Sequence, residues 1–277
     1  MSFSPVLPST GLTGWNFLKA SLPTQTELFE KSPEIQRDLE YFEDNIRNIK
    51  TLDDFMNDRR IQKVALGAFG LGEEINKGAF VRKVLDEGVA ERTAFARRIN
   101  NEDYIEFATA FDFTNGDLEL NSLEIDNIKQ AYEDETFEIA LGDVDNNMRL
   151  ALNFQREISD LANRGLSEAG GWFKAMGSVP LRTVLESAFN MPEGFSQLDI
   201  DKQKELLSDK ANSLFGGKGV EVFQDPENVE TTIRRFLLQE QIAAGPAPGT
   251  PGLAALTILG GGIGSVGIEN LLLSNAG

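Results

Sequence analysis

The chain has 277 residues with 44 acidic and 26 basic side chains, a net charge of −18, and neither histidine nor cysteine. The two absences exclude thiolate nucleophiles, disulfides, His-ligated zinc and the Ser-His-Asp triad, leaving Asp and Glu for any acid–base chemistry. The negative charge repels phosphate backbones and anionic lipid, so neither nucleic acid nor a membrane surface is an expected partner, while 41% hydrophobic residues with 19 Phe suffice for a real core.

The start, Met1-Ser2-Phe3-Ser4-Pro5-Val6-Leu7-Pro8, lacks a basic stretch followed by an apolar one, so the expected location is cytoplasmic. Export through a dedicated secretion apparatus that removes no signal would leave the same start. Residues 1–23, rich in Pro, Ser, Thr and Gly around Trp15, Phe17 and Leu18, read as an irregular arm.

From there the period is helical. Ser32 and Pro33 make an N-cap and first-turn pair, and Ile35, Leu39, Phe42, Ile46 and Ile49 recur by fours and threes along one face. Thr51 with Asp54 has the form of a capping box. Short helices are predicted over Ile61–Phe69, Ile75–Asp86, Arg92–Ile99 and Asp103–Phe111, with Gly70, Gly72 and Gly88 as stops. Together these give a first helical lobe over residues 24–120, ending in the turn Phe113-Thr114-Asn115-Gly116-Asp117.

Asn121 or Ser122 then caps a long connecting helix over 121–165, either bent near Gly142 or spanning two lobes. A second lobe is expected over 166–243. Val64-Ala65-Leu66-Gly67-Ala68-Phe69-Gly70-Leu71 aligns with Val184-Leu185-Glu186-Ser187-Ala188-Phe189-Asn190-Met191 at a constant offset of 120, which predicts two related lobes. Residues 244–251 read as a Pro/Gly linker, and 252–277 as a Gly-rich apolar tail. The tail is too short and too Gly-rich for a membrane span. Its apolar residues Leu256, Ile258, Leu259, Ile263, Val266, Ile268, Leu271 and Leu272 are the candidate partner-binding side chains.

Apparent chemical motifs fail on their context. Gly262-Ile263-Gly264-Ser265-Val266-Gly267 spells a dinucleotide fingerprint, but only ten residues follow it and the required second strand and acidic residue cannot be built, so no cofactor is expected. Asp143-Val144-Asp145-Asn146-Asn147 starts like a calcium loop, yet Met148 stands where glycine is needed and Phe154 where a bidentate Glu is needed. The acid pairs Glu73-Glu74 and Asp53-Asp54, and the run Glu133-Asp134-Glu135, would serve a carboxylate hydrolase only with a second acid from a distant segment. The doublets Arg97-Arg98 and Arg234-Arg235 are expected to pair with nearby acids or to form a small docking patch.

The segment Pro5-Val6-Leu7-Pro8-Ser9-Thr10-Gly11-Leu12-Thr13-Gly14-Trp15, the run Lys31-Ser32-Pro33-Glu34-Ile35-Gln36-Arg37-Asp38, and Ala68-Phe69-Gly70-Leu71 leading to Val84-Leu85-Asp86-Glu87-Gly88 resemble a bacterial domain-of-unknown-function family, number 1217. The resemblance covers residues 1 to about 242. It implies a unit often carried more than once and genes that frequently neighbour those of the flagellar basal body and rod; it implies no catalytic residue. The reading is therefore an all-α protein of two related multi-helix lobes joined by a long helix. Its expected role is non-enzymatic: a structural or assembly protein of the bacterial flagellum with protein partners such as rod or export components. The alternatives are a Glu/Asp hydrolase acting on peptidoglycan and a chaperone-like module for an exported helical protein.

Overall fold

A computed structural model describes residues 3–99 and 101–245; the tail residues 252–277 and linker residues 246–251 lie outside the described part. The fold is all-α, with thirteen α-helices and no strand among the described residues. One long helix, α1 (Gly11–Glu30), precedes two lobes. The first lobe holds α2 (Pro33–Asn45), α3 (Leu52–Asn57), α4 (Arg59–Ala68), α5 (Gly78–Glu87), α6 (Phe95–Arg98), α7 (Glu102–Ala110) and α8 (Ser122–Gly142). The second holds α9 (Asn146–Asn163), α10 (Glu168–Gly177), α11 (Val179–Ala188), α12 (Ile200–Phe215) and α13 (Pro226–Ala244).

Local signals explain most starts. Pro33 occupies the first turn of α2, and Ile35, Leu39 and Phe42 bury the face their spacing predicts, followed by Ile46 and Ile49. At α3 the capping box is complete: the Asp54 amide donates to Thr51 Oγ1 at 3.1 Å and the Thr51 amide to Asp54 Oδ2 at 2.9 Å. Asn121 and Glu124 form the same reciprocal pair at α8. The stretch Ile75–Asp86 is split, a 3-10 turn over Gly72–Asn76 preceding α5, and only Phe95–Arg98 of Arg92–Ile99 is helical.

Each lobe has its own core. In the first, Phe55, Phe107 and Phe111 pack at ring-centroid distances of 5.4–6.2 Å. In the second, Phe223 meets Phe154, Trp172 and Phe215 at 5.7–6.4 Å. Each lobe repeats one packing scheme: its central helix, α4 or α11, lies against the first helix of the lobe, α2 or α9, and the last, α8 or α13. Within the first lobe Gly67 is required by close approach, because a Cβ there would lie 2.7 Å from the Tyr132 ring of α8.

The offset of 120 reappears in backbone geometry. The Leu71 amide donates to Leu66 O and Gly70 to Gly67 O; Met191 donates to Glu186 O and Asn190 to Ser187 O, at 2.8–3.1 Å throughout. Both helices thus end in the same left-handed C-cap, with φ of 68° at Gly70 and 51° at Asn190.

Two boundaries differ from expectation. Helix α1 begins at Gly11, so only the residues before it are irregular, and it runs through Pro23. Proline inside a helix costs about 3 kcal/mol. Tertiary burial offsets this: Trp15 and Leu18 enter the second core, Phe29 enters the first, and Leu22 touches both. The irregular segment is tied back onto α1, with the Val6 amide donating to Gln25 Oε1 at 2.8 Å and Phe3 edge-on to Phe29. The segment 121–165 is two helices, not one. It breaks just after Gly142 because Asp145 turns the chain and caps α9, accepting from the Asn147 and Met148 amides at 2.9 and 3.2 Å. Helix α8 then joins the first core and α9 the second.

The shared C-cap gives a direct test. Gly70→Ala and Asn190→Ala should each lower unfolding stability by about 1 kcal/mol, because alanine is strained in the left-handed region. Asn190→Gly should stay within about 0.5 kcal/mol of the parent or improve on it. Urea unfolding midpoints check the three values.

Candidate functional site

The densest group of buried charge lies where the two lobes meet. Helices α7 and α8 of the first lobe supply Glu102, Asp103, Glu106, Glu135 and Glu138; α9 and α10 of the second supply Arg156, Arg164 and Lys174, with Glu157 as their own carboxylate. The polarity is one-sided, with all three cations in the second lobe. Arg156 is the centre: its Nε donates to Glu138 Oε1 at 2.9 Å and its Nη2 donates to Glu135 and to Glu138 Oε2. Around it, Asn153 Nδ2 donates to Glu138 and to Glu157, both at 2.9 Å, and Ser178 Oγ donates to Glu157 at 3.2 Å. Farther along the seam Arg164 pairs with Glu106 at 2.7 Å and Lys174 pairs with Glu102.

Helical spacing produces this arrangement. Glu135 and Glu138 are three apart on α8, and Asn153 and Glu157 four apart on α9, so each pair shares one face. Glu138 is 3% exposed and Asn153 is 2% exposed. The two amide hydrogens of Asn153 serve carboxylates, and its buried Oδ1 meets no donor among the described residues.

Six carboxylates share three cations, and the excess shows in the protonation of Glu135, Asp103 and Glu157. Burial, with Glu138 beside it, pushes Glu135 up to about 8; Arg156 opposes the shift. Burial and the facing Glu157 push Asp103 up to about 7. Glu157 is itself raised by burial, against the pull of Arg156.

Raised carboxyls are what general acids need, yet these are held between packed helices. The neighbouring cavity, between α1, α8 and α9, measures about 90 Å³. It offers room for one side chain, and Glu138 and Arg156 form part of its wall. Among the described residues no cluster of acids has an arrangement suited to a metal ion.

Of the residues singled out in sequence, Glu135 reaches the seam, with Glu133 and Asp134 beside the neighbouring cavity, and the others go elsewhere. Leu256, Ile258, Leu259, Ile263, Val266, Ile268, Leu271 and Leu272 lie outside the described residues. Asp53 pairs with Arg82, Asp54 caps α3 and Glu74 pairs with Lys77. Of the arginine doublets, Arg98 reaches Glu87 at 3.8 Å, whereas Arg97 and Arg235 donate to the carbonyls of Val89 and Ala188. Beyond the acidic run Glu133-Asp134-Glu135 no motif marked the seam, and no local pattern sets Glu138 and Asn153 apart from the other polar residues of the chain.

The sequence pattern of one protein family matches residues 68–229, more than half of the chain and the whole of the seam. The chain belongs to the DUF1217 family, proteins of unknown function. It is also similar to a protein from Agrobacterium tumefaciens whose X-ray crystal structure came from a structural-genomics programme. The two are 27% identical, with a TM-score of 0.67 over 88% of this chain and 100% of that one. No curated protein matches the chain.

The raised carboxyls make stability depend on pH with a definite sign. Each binds its proton in the folded state at pH values where the unfolded chain has already lost it. Their contribution to stability therefore falls as pH climbs from the ordinary carboxylate range to about 7 for Asp103 and about 8 for Glu135, and is flat above that. In Glu135→Gln the loss between pH 6 and 8 should shrink by roughly 2 kcal/mol. Urea unfolding at both pH values checks this; an unchanged slope would show that Glu135 is ionised throughout.

Proposed function

We propose that this DUF1217 protein is non-enzymatic and works by binding another protein, as a structural or assembly component associated with the bacterial flagellum. The observation that supports it best is the use made of the perturbed acids. Glu135 is spent on Arg156, fastening one lobe to the other, and Glu157 on Asn153 and Ser178 within the second lobe, rather than lining an open cleft. Outside, apolar side chains such as Leu28, Leu123 and Val179 remain more than half exposed. The flagellar setting rests on the gene neighbourhood that the family resemblance implies. That setting allows a cytoplasmic factor or one exported without a cleaved signal. Among the described residues no helix is long and apolar enough to cross a membrane.

One observation favours a second reading. Glu135 and Asp103, pushed up to about 8 and about 7, have the protonation a peptidoglycan hydrolase would require of its acid. The readings part in one experiment. Full-length tagged protein is recovered from motile cells of the source organism, and bound proteins are identified by quantitative mass spectrometry. Enrichment of rod, hook or export components is expected. If none is enriched, and purified protein cleaves peptidoglycan fragments in a manner lost in Glu135→Gln, the hydrolase reading replaces this one.

A further inference from the structure

The cavity beside the seam is a half-open groove whose wall and rim differ in character. Its apolar wall comes from Leu22 and Phe29 of α1, Phe137 of α8 and Leu152 of α9. Thr26 of α1 lines the groove between Leu22 and Phe29, and its hydroxyl is satisfied by donating back to the carbonyls of Leu22 and Pro23. The rim carries Glu30, Glu133 and Asp134.

These three carboxylates form no ion pair among the described residues, in contrast to their neighbours. The closest cations are engaged elsewhere: Lys129 holds Glu43 at 2.5 Å, and Arg156 is shared by Glu135, Glu138 and Glu157. The crowding registers in Glu133, which burial and the charges of Glu30 and Asp134 raise above the usual carboxylate range. An apolar slot for one side chain, with three carboxylates on its rim that form no ion pair and its one cation, Arg156, already engaged by Glu135, Glu138 and Glu157, complements an apolar residue flanked by Lys or Arg.

From this geometry we infer that the groove between α1, α8 and α9 is a docking site for a basic amphipathic segment of a partner protein, one apolar side chain seated against Leu22 and Leu152 and its cationic neighbours on Glu30, Glu133 and Asp134. The chain's own tail lacks this chemistry, since no Lys or Arg follows Arg235. A second copy is disfavoured as well, because each copy carries a net charge of −18. The inference rests on the protein-binding role proposed above and names the chemistry of the partner.

Fluorescence anisotropy tests it on the full-length protein, with two labelled helical peptides as probes. One is an amphipathic peptide of Leu, Ala and Lys; the other has Glu in place of every Lys. The Lys peptide should bind and the Glu peptide should not. Thr26→Phe, which fills the groove from α1, should weaken binding by at least about tenfold. Glu30→Gln with Glu133→Gln should weaken it about fivefold, while Glu193→Gln with Asp209→Asn, which removes the same charge elsewhere, should leave it unchanged.

Equal binding by the parent and all the variants would overturn the inference in favour of diffuse charge attraction. Absence of binding would overturn it outright, and binding that requires removal of residues 252–277 would assign the groove to the tail. The Thr26→Phe protein also separates this failure from that of the broader reading. If it still recovers the parent's partners from cells, the groove inference falls and the interaction role stands; if the parent recovers none while the Lys peptide binds as described, the flagellar setting falls and the groove stands.

Discussion

Arg156 is the point on which the arrangement of the two halves turns. Each lobe buries its own aromatic core, and the two are bridged by few apolar side chains: Leu141 of α8 enters the second core, and Leu22 and Leu152 touch both. The junction is instead written in charge, with carboxylates on the first lobe and cations on the second. A guanidinium bound to two carboxylates of α8 and lying 3.6 Å from Glu157 fixes both the distance and the rotation of α9 against α8. Helices that broke from one another only at Asp143–Asp145 are thereby held side by side.

Charge of this kind is a weak source of stability and a strong source of geometry. Holding Glu135 and Glu138 against Arg156 in the poorly solvated part of the seam costs desolvation that the ion pairs only partly return, while Arg164 and Glu106 at its far end remain exposed. The cost appears locally, as carboxyls that hold protons near neutral pH and an Asn153 oxygen without a donor. What keeps the lobes together energetically is α1, which lays Trp15 and Leu18 in one core and Phe29 in the other. Hydrophobic burial supplies the adhesion, and the charged seam selects a single register. The same division explains the groove, because α1 crosses the seam where the carboxylates outnumber their partners.

Much of the fold was legible because local physics and tertiary packing agree there. Ser32-Pro33, the Thr51–Asp54 box and the Asn121–Glu124 box mark helix starts that the structure keeps. The offset of 120 correctly aligned Gly70 with Asn190, since both must adopt a left-handed conformation. Where local and tertiary preferences conflict, the sequence misleads. Pro23 argues against a helix, and only burial on two cores overrides it. The break at Asp143–Asp145 was legible only as a bend near Gly142 within a helical period, because its cause is one capping side chain. The seam was illegible for a different reason: in a chain with 44 acidic residues, nothing local distinguishes Glu138 from the carboxylates that face water.

A double-mutant cycle between Arg156 and Glu138 tests this account most directly. Arg156→Met, Glu138→Gln and the double variant are unfolded in urea alongside the parent, and the coupling energy is taken from the four stabilities. A junction organised by this pair predicts coupling of about 2 kcal/mol or more, with the double variant less destabilised than the sum of the singles. Additive effects, with coupling near zero, would mean that the lobes are positioned by α1 alone and that the charged seam merely fills the space between them.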